Sequence, residues 1–161
     1  MDDSRWLTPE QLHAWIRLVS VIELLPGTLD SQLQRDAELT HFEYFTLAVL
    51  SEAPETKLRM TALSNTTNSS LARLSHVIAR LEARGFVART PCPEDRRATT
   101  ATLTEQGWQK VVATAPGHVA TVRDSVIDVL DAGDVADLDR IMGSILSRLD
   151  PTNRLRSWGD E

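Results

Sequence analysis

The residues with the most chemistry to offer lie between Asn68 and Thr104. Arg73, His76 and Arg80 recur at three- and four-residue spacing, which puts them on one face of a helix. Ser69 and Ala72 share that face, and Leu71, Leu74, Ile78 and Leu81 fall on the opposite, core-forming side. An outward stripe of small and polar residues with long basic arms fits a DNA major groove about 12 Å wide. Further on, Asp95-Arg96-Arg97 lies between two β-rich runs, Phe86–Thr90 and Thr99–Leu103. The intervening Pro91–Ala98 loop is too long for a tight turn and suits a projecting wing. A helix for a groove beside a charged hairpin for a backbone is the chemistry of DNA binding. The candidate contacts are Asn68, Ser69, Ser70, Arg73, Ser75, His76, Arg80, Asp95, Arg96 and Arg97. Guanidinium groups there can grip base edges for sequence readout or phosphates for affinity.

The charge map agrees. The chain has 161 residues and a formal net charge of −6. From Thr56 to Thr99 it carries eight basic and three acidic residues, a net +5; the rest carries nine basic and twenty acidic, a net −11. An acidic protein that keeps its positive charge in one segment has an electrostatic footprint for phosphate.

Other chemistries lack their residues. There is no P-loop, no G-x-S-x-G, no H-E-x-x-H and no Rossmann glycine pattern, so the chain is not expected to be an enzyme. The four histidines are scattered without carboxylate or cysteine partners at ligand spacing, and neither a metal nor a cofactor is expected. The single cysteine, Cys92, excludes an internal disulfide; between two prolines in the wing, it is expected to be an exposed loop residue. No apolar run is expected to reach the length of a membrane span, and MDDSRW has no apolar leader core. A soluble, cytoplasmic protein without a membrane partner is the expectation.

The elements that must position these groups are mostly helical. Thr8-Pro9-Glu10-Gln11 is a capping box that opens a helix bearing Leu12, Trp15, Ile16, Val19 and Ile22. Pro26-Gly27 is expected to interrupt it, with a second amphipathic piece around Leu29–Leu39. Thr40-His41-Phe42-Glu43 caps the next helix. Lys57-Leu58-Arg59 reads as a short strand, Met60–Asn65 as a short helix, and Asn68 as the N-cap of the arginine-bearing helix. Gly85 ends that helix. Thr104 caps a long helix kinked at Pro116-Gly117, and Asp134 caps a last one carrying Leu138, Ile141, Ile145 and Leu149.

The fold class is therefore mainly α with a small β-hairpin wing, an α+β arrangement. Residues 1–39 form N-terminal helices of a dimerisation lobe and residues 40–104 a winged helix-turn-helix lobe. Residues 105–150 form C-terminal dimerisation helices and residues 151–161 a tail. The outer helices carry more apolar surface than the small basic lobe can cover, which suggests that they pair with each other and with a second subunit. A two-fold dimer presents two recognition helices to half-sites about one DNA turn apart.

This order of elements resembles the MarR family of winged-helix regulators. Arg80-Leu81-Glu82-Ala83-Arg84-Gly85-Phe86-Val87-Ala88-Arg89 is similar to the family's RLE-x-x-G-hydrophobic-V-x-R pattern. Asp95-Arg96-Arg97-Ala98 followed by Leu103-Thr104-Glu105-Gln106-Gly107 is similar to its D-x-R and LT-x-x-G patterns. The resemblance implies a homodimer on a palindromic or near-palindromic double-stranded operator, acting as a repressor more often than an activator. It also implies release by a small aromatic or anionic effector held between the lobes. In such regulators the aspartate orients the wing and an arginine, matched here by Arg97, reaches the minor groove. His76 departs from the pattern, standing where many members have arginine or another polar base reader. His13, Trp15, Arg17, His41 and Tyr44 fall on helices that border the implied cleft. His13 and Arg17, at i and i+4, suit an anionic ring, while Trp15 and Tyr44 are more often core or dimer packing than ligand contacts. Two alternatives stay open: a winged-helix module for protein contacts, and a DNA-binding protein that answers to no ligand.

Overall fold

A computed structural model describes residues 6–92 and 95–155; Pro93, Glu94 and the side chains of Arg96 and Arg97 lie outside the described part. Among the described residues six α-helices and three strands follow in order: α1 (Pro9–Ala37), α2 (His41–Glu52), β1 (Lys57–Arg59), α3 (Met60–Thr66), α4 (Leu71–Ala83), β2 (Val87–Cys92), β3 (Asp95–Leu103), α5 (Glu105–Val122) and α6 (Ala132–Leu149). The mainly helical class with a small hairpin agrees with the sequence expectation. The sheet is antiparallel with order β1-β3-β2, so the short β1 closes the hairpin's inner edge.

Both expected capping boxes form. Thr8 and Thr40 each accept a bond from the backbone three residues on, and Gln11 and Glu43 reach back to the cap. Two local expectations are corrected. Pro26 does not interrupt α1, which runs unbroken for 29 residues. Proline there forgoes only the bond to the Ile22 carbonyl, and both residues are exposed, so water can satisfy that oxygen. The last helix is capped by Asp131, with Asp134 completing the box as its third residue. α5 passes through Pro116, and the change in winding comes later, as a π-turn over Arg123–Ile127.

The core lies under the basic segment. Leu33, Ala37 and Leu39 from the end of α1 meet Tyr44, Leu47 and Leu50 of α2 and Leu63 of α3. Leu74, Val77, Ile78 and Leu81 of α4 close over them, with Val87, Ala101 and Leu103 beneath the hairpin. At about 25 cal/mol per Å² of apolar surface, this layer is what holds α4 in place.

The outer helices are different. α6 buries no residue within the chain, and most of α1 is exposed, with Trp15 at 53% and Leu24 at 71%. Contrary to expectation, α1 is long and apolar enough, by length and composition, to cross a membrane. Its charges are sparse between Arg17 and Asp30, with Glu23 alone in that stretch. The same composition is what a helix needs to be covered by another protein chain.

Candidate nucleic-acid interface

The turn between α3 and α4 aims the exposed helix. Asn68 does not cap it: its backbone is left-handed (φ 47°) and its N–H donates to the Asn65 carbonyl at 3.1 Å. Ser70 is the cap, accepting from the Arg73 N–H at 3.2 Å. Asparagine tolerates the left-handed turn, which leaves the capping position two residues later. Ser69, half-buried, shares a hydrogen bond with Thr67 at 3.0 Å. Because α4 begins at Leu71, that side chain lies beyond the core and is 46% exposed; Val77 fills the buried face instead.

At its far end α4 stops in a Schellman arrangement. The Phe86 N–H reaches the Leu81 carbonyl at 3.0 Å, with Gly85 left-handed at φ 77°. Thr104 then ties the hairpin back, its hydroxyl donating to the Gly85 carbonyl at 2.7 Å and its N–H to Phe86 at 3.0 Å. It also caps α5 through the Gly107 N–H. A Cβ on Gly107 would sit 2.1 Å from the Phe86 carbonyl oxygen. The glycines and threonine of the two motifs thus form one joint binding α4, the hairpin base and α5.

The basic residues of α4 are held rather than loose. The Arg73 guanidinium stacks over Phe42, 4.3 Å from the ring centroid. Arg80 donates through Nε to Glu43 at 3.0 Å, while the other oxygen of that carboxylate caps α2 through Thr40. Glu43 is nearly buried, its side chain 7% exposed. Arg84 stacks on Phe86 and donates to the Glu38 carbonyl at 2.8 Å. All three lean toward α1 and α2, so the centre of the outward face is Ala72, His76 and Ala79, all exposed. On the wing side, Glu82 accepts from Arg89 Nη2 at 2.6 Å, and that hydrogen bond holds its carboxyl below the usual glutamate range. Half-buried Ser75 lines a small concavity with Leu71, Arg59 and Thr99.

A cleft of about 620 Å³ runs beside α4. Pro26, Gly27 and Asp30 of α1, Thr40, His41 and Phe42 at the start of α2, and Arg73, His76 and Arg80 line it. Behind it His41 faces His118 of α5, ring centroids 6.2 Å apart, and Tyr44 lies 4.7 Å from His118. Burial lowers the pKa of both imidazoles; Asp30 opposes this at His41, and His41 adds to it at His118. Burial raises the Tyr44 phenol. Gln32 Oε1 and His118 Nδ1 are buried without a hydrogen-bond partner.

His41 is therefore at the cleft and Tyr44 behind it. His13, Trp15 and Arg17 are exposed on the N-terminal half of α1 and do not line it; at 1.5 Å per residue, Arg17 is about 13 Å along the helix from Pro26. Sequence reasoning missed Asp30, Phe42 and His118. Nothing local marks them, since each gains its place only when α1, α2 and α5 pack.

The wing hairpin extends further than expected, β2 running to Cys92 and β3 starting at Asp95, with a register shift at Pro91/Cys92. That shift carries the Cys92 side chain inward: it is 5% exposed, not an open loop thiol. Asp95 is exposed at the start of β3. Arg96 and Arg97 belong to β3, their side chains outside the described residues. Among the described residues no group of three or more His, Cys, Asp or Glu could hold a metal ion.

Three helices ending in an exposed one, beside an antiparallel hairpin closed by a short strand, define a winged helix-turn-helix. The family model described as MarR family matches residues 39–99, from the start of α2 into β3. Sco3205, a MarR family transcriptional regulator of Streptomyces coelicolor solved in complex with DNA, is 41% identical over 95% of this chain and 96% of its own, with a TM-score of 0.88. AbsC, another MarR family transcriptional regulator of that organism, is 39% identical over 91% and 98%, with a TM-score of 0.84. An uncharacterized HTH-type transcriptional regulator of Bacillus subtilis, YdcH, is 35% identical over 54 residues, 34% of this chain and 37% of its own length. The chain belongs to the MarR family of transcriptional regulators.

Proposed function

We propose that the chain is a sequence-specific DNA-binding repressor that works as a homodimer on a palindromic or near-palindromic operator. In this reading α4 enters the major groove with Ser69 and His76 toward the bases and Arg73, stacked on Phe42, at the α2 edge of the groove for base or phosphate contact. Ser70, Ser75 and the wing residues Asp95, Arg96 and Arg97 meet the backbone and the minor groove. Arg80 acts through Glu43, fixing the angle between α2 and α4. Residues 1–39 and 105–150 form the dimerisation part and residues 40–104 the DNA-binding part. The observation that carries the reading is the coincidence of the chain's positively charged segment with an exposed, rigidly capped helix. The uncovered apolar faces of α1, α5 and α6 support a second copy as partner. The relative solved in complex with DNA supports DNA as the target.

The cleft beside α4 supports a small-molecule effector. A ligand against His41, Phe42 and Arg73 would touch the side chains that orient α4, and it would weaken DNA binding by its preference for the unbound arrangement. The test is selection of bound sequences from a random duplex pool, followed by salt titration on the winner. Enrichment of an inverted repeat with half-sites about one turn apart is expected. Weak, purely electrostatic binding that salt abolishes, with no enriched sequence, would overturn the reading in favour of a protein-contact module.

A further inference from the structure

Leu71 opens α4 and is the large apolar side chain exposed on that helix. Packing does not require it there, since Leu74, Val77, Ile78 and Leu81 already complete the helix's buried face. It lines a concavity of about 180 Å³ with Ser75 and with Arg59 and Arg89, where α4 meets the sheet. Exposed Ala72 follows it. The first turn of a recognition helix is the part that reaches base edges. There, the apolar group that a base offers in the major groove is the 5-methyl of thymine.

We propose that Leu71 is a specificity-determining residue that selects thymine in each half-site by covering its 5-methyl group. This rests on the insertion of α4 into the major groove. Arg59 and Arg89, the latter paired with Glu82, line the concavity beside the leucine, while Leu71 itself has no hydrogen-bonding side-chain atom and discriminates by shape and desolvation alone. Arg73 and Arg80 lean the other way, toward α2, so neither guanidinium of the helix crowds the leucine's edge of α4.

The experiment uses the full chain and the operator recovered by selection. Each thymine is replaced singly by deoxyuridine, which keeps every base-pairing atom and drops only the methyl. Removing one buried methyl is worth a factor of about four in affinity. Wild-type protein is expected to lose about that factor at one thymine of each half-site and little elsewhere. Leu71→Ala should bind the thymine duplex as weakly as wild type binds the uracil duplex, and should not respond to uracil there. Leu71→Met, apolar and of similar volume, should keep the response. Equal losses for wild type and Leu71→Ala at every position, or no loss for wild type, would overturn the assignment while leaving sequence readout intact. A pool that yields no preferred sequence would overturn both. Circular dichroism checks that the variants fold, as expected at an exposed site.

Discussion

Two glycines separate two kinds of steric demand. Gly85 needs its left-handed backbone, and the atom nearest an added Cβ is the end of the flexible Gln106 side chain. Gly85→Ala is therefore expected to lower stability by about 1–2 kcal/mol, the strain of a left-handed residue. Gly107→Ala meets a backbone oxygen that cannot step aside, and should lose about 3 kcal/mol or more. Urea unfolding of the two variants checks the order; a Gly107→Ala protein as stable as wild type would show that the joint yields. Glu43 supplies a second residue-scale outcome. It caps α2 and anchors Arg80, so Glu43→Gln, which keeps the cap but loses the charge, should be only slightly destabilised, by about 1 kcal/mol or less. The Arg80 side chain is more than half exposed and its ion pair is screened by solvent. DNA affinity should fall more than stability does, because the guanidinium loses its orientation.

Between elements, the histidine pair joins α2 to α5 and responds to acid. Both imidazoles have pKa values below the ordinary 6.5, mainly through burial, so the folded state favours their neutral forms. The unfolded chain then binds more protons as pH drops through about 6.5. Stability is complete above that pH and declines as pH falls toward the lowered folded values. The thermal midpoint is expected to fall between about pH 7.5 and 5.5, and His118→Gln should flatten that slope. Asp30 also acts on His41, and hydrogen bonds from Gln32 and Arg35 hold the Asp36 carboxyl below the ordinary aspartate range. An unchanged slope in the variant would assign the acid sensitivity elsewhere.

The elements themselves were largely legible in the sequence, because capping boxes, glycine stops and apolar spacing are local signals. The departures were local conflicts decided by context. Asn68 and Ser70 competed for one cap, and Pro26 signalled a stop that an exposed carbonyl made unnecessary. Leu71 kept helical spacing but lost its core position because the helix begins there. The site was legible on α4, where its residues share one helix face. Phe42, Asp30 and His118 were not, since they join it only through packing between segments far apart in sequence.

At the scale of the whole molecule, most of the unexplained apolar surface lies on α1, α5 and α6. A second copy covering it predicts a dimer by sedimentation, and Leu24→Asp, which puts a charge on the most exposed leucine of α1, should shift the protein to monomer. The same variant should lose affinity for an inverted repeat far more than for a single half-site. A monomeric wild-type protein at micromolar concentration would refute this outcome. On the DNA side, the logarithm of affinity should fall linearly with the logarithm of salt concentration, and Arg97→Ala should reduce that slope by about one phosphate contact.

The uncovered apolar helices carry none of the α4 residues that face outward. In the proposed dimer, assembly and readout would then be physically separable, with a genetic consequence. A chain whose α4 is disabled but whose outer helices are intact would still pair with normal chains, giving mixed dimers with one working half. Expressed beside the wild-type gene at equal level, such an allele would remove most of the functional regulator. Loss-of-function changes in α4 should therefore behave as dominant, whereas changes that unfold the outer helices, leaving nothing to pair, should behave as recessive.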